Sequence, residues 1–167
     1  LRRQGIERRR LMRGVASIAG LGFLGAFAWR PLLREPLLAW QADLRSATGD
    51  INEHRLADGT RLWLASNTAL DVRFDARQRT LHLYRGEVLI NTASDPRPLL
   101  LHTTQGSLQP LGTRFNVALE DDVTRLAVFE GRVLARCDGS TAQQEVAAGL
   151  GVSFDRQSFA ALLPASP

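Results

Sequence analysis

Two hydrophobic periods divide this chain. From Gly14 to Trp29 the run GVASIAGLGFLGAFAW holds 16 consecutive residues without a charge, and beyond Leu44 the period drops to two. Arg61-Leu62-Trp63-Leu64, Leu70-Asp71-Val72-Arg73-Phe74, Leu81-His82-Leu83-Tyr84 and Val88-Leu89-Ile90 follow at short intervals, as do Leu99-Leu100-Leu101, Phe115 to Leu119, Leu126 to Phe129 and Val133-Leu134-Ala135. Alternation of this kind marks strands with one buried face, and it sets Asp71, His82 and Asn116 on the face toward water. Turn formers separate the runs: Asp58-Gly59, Arg85-Gly86, Asp95-Pro96, Gln105-Gly106, Gly112, Glu130-Gly131 and Asp138-Gly139. Short strands at this spacing predict an all-β domain over residues 45–156, an antiparallel sandwich, jelly-roll-like fold or β-roll. A neck over 30–44 offers Leu37, Leu38, Trp40 and Leu44 for packing on it, and 157–167 is a tail, the only later segment with a hint of helical period. An α/β fold is not expected.

The uncharged run reads as one transmembrane helix over 11–29. About 20 apolar residues span a bilayer, a length reached if Leu11 and Met12 join and Arg13 snorkels toward the headgroups. Trp29 stands where an interfacial aromatic belongs, and Pro31 ends the helix. Arg2, Arg3, Arg8, Arg9, Arg10 and Arg13 precede the run, against Arg30 and Arg34 after it. The excess of base on the amino-terminal side makes residues 1–10 a cytoplasmic stub and puts the β domain in the periplasm, as in a single-pass bacterial inner-membrane protein. The same residues fit two other readings. Ala26-Phe27-Ala28 matches a signal-peptidase site, which would release an exported ligand- or carbohydrate-binding β domain. Arg8 to Arg13 also resembles a twin-arginine export signal. A helix buried in a soluble fold is the plain alternative.

Charge narrows the partners. The whole chain carries +4, which alone suggests an acidic partner, but residues 1–36 hold eight arginines against Glu7 and Glu35 while residues 37–167 hold 13 arginines against 15 carboxylates. The β domain is thus slightly acidic and gives no case for binding nucleic acid. A lone Cys137 allows no internal disulfide, and His54, His82 and His102 are too scattered for zinc-ligand spacing, so neither metal nor cofactor is expected. Cys137 falls in an alternating run and reads as a half-buried strand residue. The first residue is leucine, which reads as a fragment of a longer protein.

Little else points to chemistry. Glu120-Asp121-Asp122 could bind calcium or hold an acid/base pair, as in a hydrolase, but it lies between two strand runs, where a solvated hairpin tip accounts for it. Arg85-Gly86-Glu87-Val88 and Glu130-Gly131-Arg132-Val133 look like related turns that mark a repeated hairpin. No nucleophile elbow or phosphate loop occurs, and no catalytic residue is expected.

Leu56-Ala57-Asp58-Gly59-Thr60, Arg79-Thr80, Arg85-Gly86-Glu87, Arg97-Pro98, Leu111-Gly112-Thr113-Arg114-Phe115 and Glu130-Gly131-Arg132-Val133, in this order and spacing, resemble the periplasmic domain of the FecR family, over roughly Asp43 to Phe154. Asp50 departs from the glutamate more usual there. The resemblance implies an anti-sigma or pro-sigma regulator of an extracytoplasmic-function sigma factor. Such a protein carries an iron, siderophore or haem signal from a TonB-dependent outer-membrane receptor across the envelope to transcription. It favours the retained anchor over a cleaved signal. The sigma-binding domain would precede Leu1, and a receptor-contacting domain would follow Pro167. The resemblance also implies a site of self-cleavage, since some members break their own chain at a Gly-Thr bond by an N-to-O acyl shift, here Gly112-Thr113. The plainer expectation is that Gly112 makes a tight turn and Thr113 opens the next strand.

Overall fold

The computed structural model describes residues 38–165, and the basic stub, the apolar run and most of the neck lie outside them. Thirteen strands follow in order: β1 (Leu44–Arg45), β2 (Asn52–Arg55), β3 (Arg61–Leu64), β4 (Ala69–Phe74), β5 (Arg79–Asn91), β6 (Leu99–His102), β7 (Gly106–Pro110), β8 (Arg114–Glu120), β9 (Val123–Glu130), β10 (Arg132–Cys137), β11 (Gln143–Ala147), β12 (Leu150–Phe154) and β13 (Leu163–Pro164). One sheet runs β1-β4-β5-β6-β7-β10-β11 and the other β2-β3-β5-β8-β9-β12-β13, so β5 belongs to both. The curled all-β architecture expected from the alternation is present, with one departure: β5 and β6 pair in parallel.

β5 shows why alternation alone misreads a shared strand. Leu81 and Leu83 face the core at odd positions, Val88 and Ile90 at even ones, all of them at most 2% exposed. That break in parity predicts two strands with a turn at Arg85-Gly86, and the chain instead makes one strand of 13 residues. A bulge opposite Ala69/Leu70 absorbs the extra residue, and Gly86 takes φ +83° as β5 leaves one sheet and enters the other. The same parity break, Leu126 and Val128 to Val133 and Ala135, marks Gly131, where β9 of one sheet passes directly into β10 of the other. The two Gly-centred motifs are therefore related, but as crossings between sheets, not as hairpins.

Leu62, Leu64, Leu101, Leu108, Phe115 and Val128 are fully buried between the sheets. Phe115, beside the Gly112 turn, is the largest of them and sets the core around that end. Other expectations need correction. Asp71 faces outward but is only 9% exposed, because the neck folds over it: Asp43 N–H donates to Asp71 Oδ1 at 3.0 Å and Val72 N–H to Asp43 Oδ2 at 3.1 Å. Trp40, expected to pack, is 74% exposed. β2, β7 and β11 have no counterpart in the alternation, since Asn52-Glu53-His54-Arg55, Gly106 to Pro110 and Gln143-Gln144-Glu145 carry too few apolar residues to show a period; β12, Leu150-Gly151-Val152-Ser153-Phe154, does alternate and adds one strand to those expected. Among its described residues the tail forms no helix. It folds back on β12, through a bridge from Phe159 to Phe154 and through β13.

Replacing Gly86 with alanine would place a Cβ 2.6 Å from Thr68 Cα while holding an L-residue in the left-handed region. Gly86→Ala is expected to lower unfolding free energy by at least ~2 kcal/mol in a urea titration, with the slope unchanged.

Candidate functional site

Most of the motif residues, far apart in sequence, meet at one end of the domain, while Arg85-Gly86-Glu87 lies elsewhere, on β5 opposite Leu119 and Ala118. Asp58 closes the β2–β3 hairpin, where its carboxylate accepts Thr60 N–H at 3.0 Å and the Thr60 hydroxyl at 2.7 Å. Arg79, at the start of β5, reaches the same carboxylate at 2.6 Å, with 5% of the arginine side chain and none of the aspartate exposed. Its remaining N–H groups donate to the Arg97 carbonyl at 2.8 and 3.1 Å, and Arg97 in turn grips Asp95 at 2.6 Å. A charge pair survives burial only when nearly every donor and acceptor is met in this way. Burial pushes the Asp58 carboxyl up, but the bonds from Thr60 and Arg79 outweigh it and hold the group below its ordinary value. Asp95 is held well below the carboxylate range, first by the Arg97 side chain and then by its backbone N–H.

Two residues link this network to the Gly112 turn. Ala93 N–H donates to the Thr60 hydroxyl at 3.1 Å, and its neighbour Thr92 engages Thr113. The Thr92 hydroxyl accepts Thr113 N–H at 2.8 Å and donates to the Thr113 carbonyl at 3.1 Å, which also accepts Thr92 N–H at 3.0 Å. Leu111 N–H donates to the Arg132 carbonyl at 3.0 Å, tying the turn to the β9–β10 crossing. The Gly112 turn and the Gly131 crossing lie against each other. A Cβ on Gly131 would run into the Gly112 carbonyl oxygen and come within 2.8 Å of Thr113 Cγ2.

Within this frame Gly112 has φ +66°, and Thr113 is 3% exposed. The Thr113 backbone is fully engaged, yet its Oγ1 is buried without a hydrogen-bond partner. An orphaned buried hydroxyl costs about 1–3 kcal/mol, so the turn stores a local penalty at the one side-chain oxygen that stands next to the Gly112 carbonyl carbon along the chain.

The other candidates are placed as follows. Glu120 to Asp122 form the tip of the β8–β9 hairpin, with Asp121 at φ +47° and Glu120 2.9 Å from Arg125. Among the described residues no group of three potential ligands gathers around one point. Cys137 is buried on β10, and burial pushes its thiol up, away from reactivity. Glu87 accepts from Asn116 Nδ2 at 2.6 Å on the outer face, and Glu130 lies 4.0 Å from Arg114. The histidines are less scattered than their spacing suggests. The parallel register of β5 and β6 stacks His82 on His102 with ring centres 5.0 Å apart. Only that pairing reveals it. Burial lowers the His82 pKa, and the facing His102 and Arg73 lower it further against the pull of Asp71.

Comparison with known proteins agrees with this architecture. The family model described as FecR protein matches residues 42–134. Two crystal structures of a candidate anti-sigma factor from Parabacteroides distasonis, at 1.65 and 2.50 Å resolution, are similar with a TM-score of 0.64 and 21% identity. The likeness covers 73% of this chain and 59% of that one, so this chain spans about three fifths of the longer protein. It establishes the fold. No curated protein matches.

Asp58→Ala leaves Arg79 buried without its counter-charge and is expected to cost about 3–5 kcal/mol by urea denaturation. A carboxylate held below its ordinary value of 3.8 favours the fold above that pH and loses its contribution as it protonates, so the Asp58 variant's stability should fall less steeply than wild type as pH drops below about 4. For His82 the sign is the same by another route. The unfolded chain takes up its proton near 6.5 while the folded one resists. Stability should therefore decline as pH falls through about 6.5, and His102→Gln, by removing the facing ring, should make that decline shallower in the same titration.

Proposed function

This chain belongs to the FecR protein family, and on that ground we propose that it supplies the membrane span and periplasmic domain of a single-pass inner-membrane regulator of an extracytoplasmic-function sigma factor. The observation that carries the reading is the convergence of the family's motif residues, Asp58, Thr60, Arg79, Arg97, Thr113 and Gly131, on one end of one domain within the matched segment. The uncharged run over 14–29, with its arginines weighted to the amino-terminal side, supports the anchor and the topology. The similar Parabacteroides protein is described as an anti-sigma factor, which points to the same partner class. In this reading the signal is iron bound as a siderophore or haem, sensed by a TonB-dependent outer-membrane receptor, and the β domain relays it by protein contact.

The neck is the mechanical junction. β1 pairs with only two residues of β4, and the bonds from Asp43 N–H to Asp71 and from Val72 N–H to Asp43 hold it, with the Tyr84 hydroxyl donating to the second Asp71 oxygen at 2.9 Å. A few hydrogen bonds of about 1 kcal/mol each can be exchanged by a docking partner. In-frame removal of residues 45–156 from the gene is expected to uncouple a sigma-dependent promoter from the external signal, and a phosphatase fused after Pro167 is expected to be active. A promoter that still responds, or an inactive phosphatase, overturns the proposal.

A second reading concerns the Gly112-Thr113 bond, favoured by the buried, partnerless Thr113 hydroxyl. Its oxygen attacks the Gly112 carbonyl carbon, the C–N bond breaks, and the hydroxyl proton passes to the departing nitrogen. The resulting ester is hydrolysed by water to leave a carboxyl on Gly112 and a free amino group on Thr113. The turn favours the step because the acyl shift relieves the orphaned hydroxyl and the left-handed Gly112 together. Wild-type chain should give two fragments by mass spectrometry under denaturing conditions, Thr113→Ala one intact mass, and Thr113→Ser two again. Only an intact mass from wild type would sink the idea.

A further inference from the structure

Among the described residues four strands lie at sheet edges: β1 and β11 of one sheet, β2 and β13 of the other. β1 and β13 have two residues each, and β13 contains Pro164, which offers no N–H. β11 is longer, but its only charge, Glu145, is already 3.4 Å from Arg132, so its edge offers no unpaired charges to select a partner. β2 is different. It bonds to β3 alone, and Glu53 and Arg55 are exposed, with neither making an ion pair among the described residues.

The ladder fixes which backbone groups remain free. Leu56 N–H donates to the Thr60 carbonyl at 2.9 Å, so Leu56, His54 and Asn52 spend their backbone groups on β3, while Glu53 and Arg55 direct theirs to the open edge. We propose that two copies of this chain pair edge to edge through β2, antiparallel, about a two-fold axis at His54.

Charge selects that register. With His54 opposite its own copy, Glu53 of each chain stands opposite Arg55 of the other, twice, on the same face and in the hydrogen-bonded positions. Shifting the axis to Glu53 or to Arg55 sets like charges opposite each other, which disfavours the slip. Within the single chain Arg55 has an uncomfortable neighbour. It pairs across β3 with Arg61, and the row continues through Asn91 to Arg114, so three arginines line it. A carboxylate arriving from the second copy completes the row at its empty end. The axis also brings a second imidazole opposite His54, whose buried Nε2 lacks a partner, and it covers Ile51, 75% exposed beside the strand. The charges that guard an edge against indiscriminate pairing here permit one partner, the same edge on another molecule.

The test is sedimentation equilibrium of the full chain in mild detergent from micromolar to millimolar concentration. Wild type is expected to interconvert between monomer and dimer. Glu53→Arg and Arg55→Glu should each weaken association about tenfold or more, because two opposite-charge pairs become two like-charge pairs. The double reversal should restore it, and the two single variants mixed together should form a heterodimer. Thermal melts that match wild type show that the variants fold. A wild-type monomer throughout, a dimer indifferent to both reversals, such as one held by the apolar run, or a folded double variant that stays weak would overturn the proposal.

Discussion

A strand that must belong to two sheets at once governs this domain. β5 supplies core residues to both walls, and it can do so only because one residue is absorbed in a bulge and Gly86 accepts a left-handed backbone against Thr68. Once β5 is committed, β4 and β6 must flank its first half and β3 and β8 its second. The crossing at Gly131 then closes the curl from the other side. Removing either device would force the inward residues of half a strand to face water, a far larger loss than the local strain they carry.

The price of curling the sheets is that their ends must be sealed, and the charged network at the Gly112 end does this. Arg79 begins β5, so anchoring its guanidinium on Asp58, with Arg97 and Ala93 accepting its other protons, fixes the strand that everything else depends on. Thr92 and Thr113 continue the seal to the β7–β8 turn. That the network leaves Thr113 Oγ1 alone as an unmet group, while its backbone is saturated, separates this oxygen from ordinary structural hydroxyls such as Thr60, which is met on both sides.

At the opposite extreme of the energy scale lie contacts of a kcal/mol or so that a docking partner can exchange. The neck clasp of Asp43 and Asp71 and the open edge of β2 are both of this kind. They sit on the periphery of a core whose own stability does not depend on them, which lets the contacts change while the domain stays folded.

The sequence by itself determined the all-β character, the order of the strongly apolar strands and the membership of Asp58, Arg79, Gly112 and Gly131 in one set of motifs. The first two are read from local alternation and from residue types with few permitted backbones, the last from the resemblance to a known family. Tertiary structure alone decided what those residues do to one another. The stacking of His82 on His102 follows from a parallel register that no local pattern encodes, and the burial of Asp71 follows from a neck laid over it. β2 shows no alternation because its stability comes from β3, and Trp40 stands exposed although its chemistry suits a core. Local sequence sets which backbone shapes are cheap, whereas partners brought together over dozens of residues set which side chains are dry, and only the second can leave one threonine hydroxyl buried and alone.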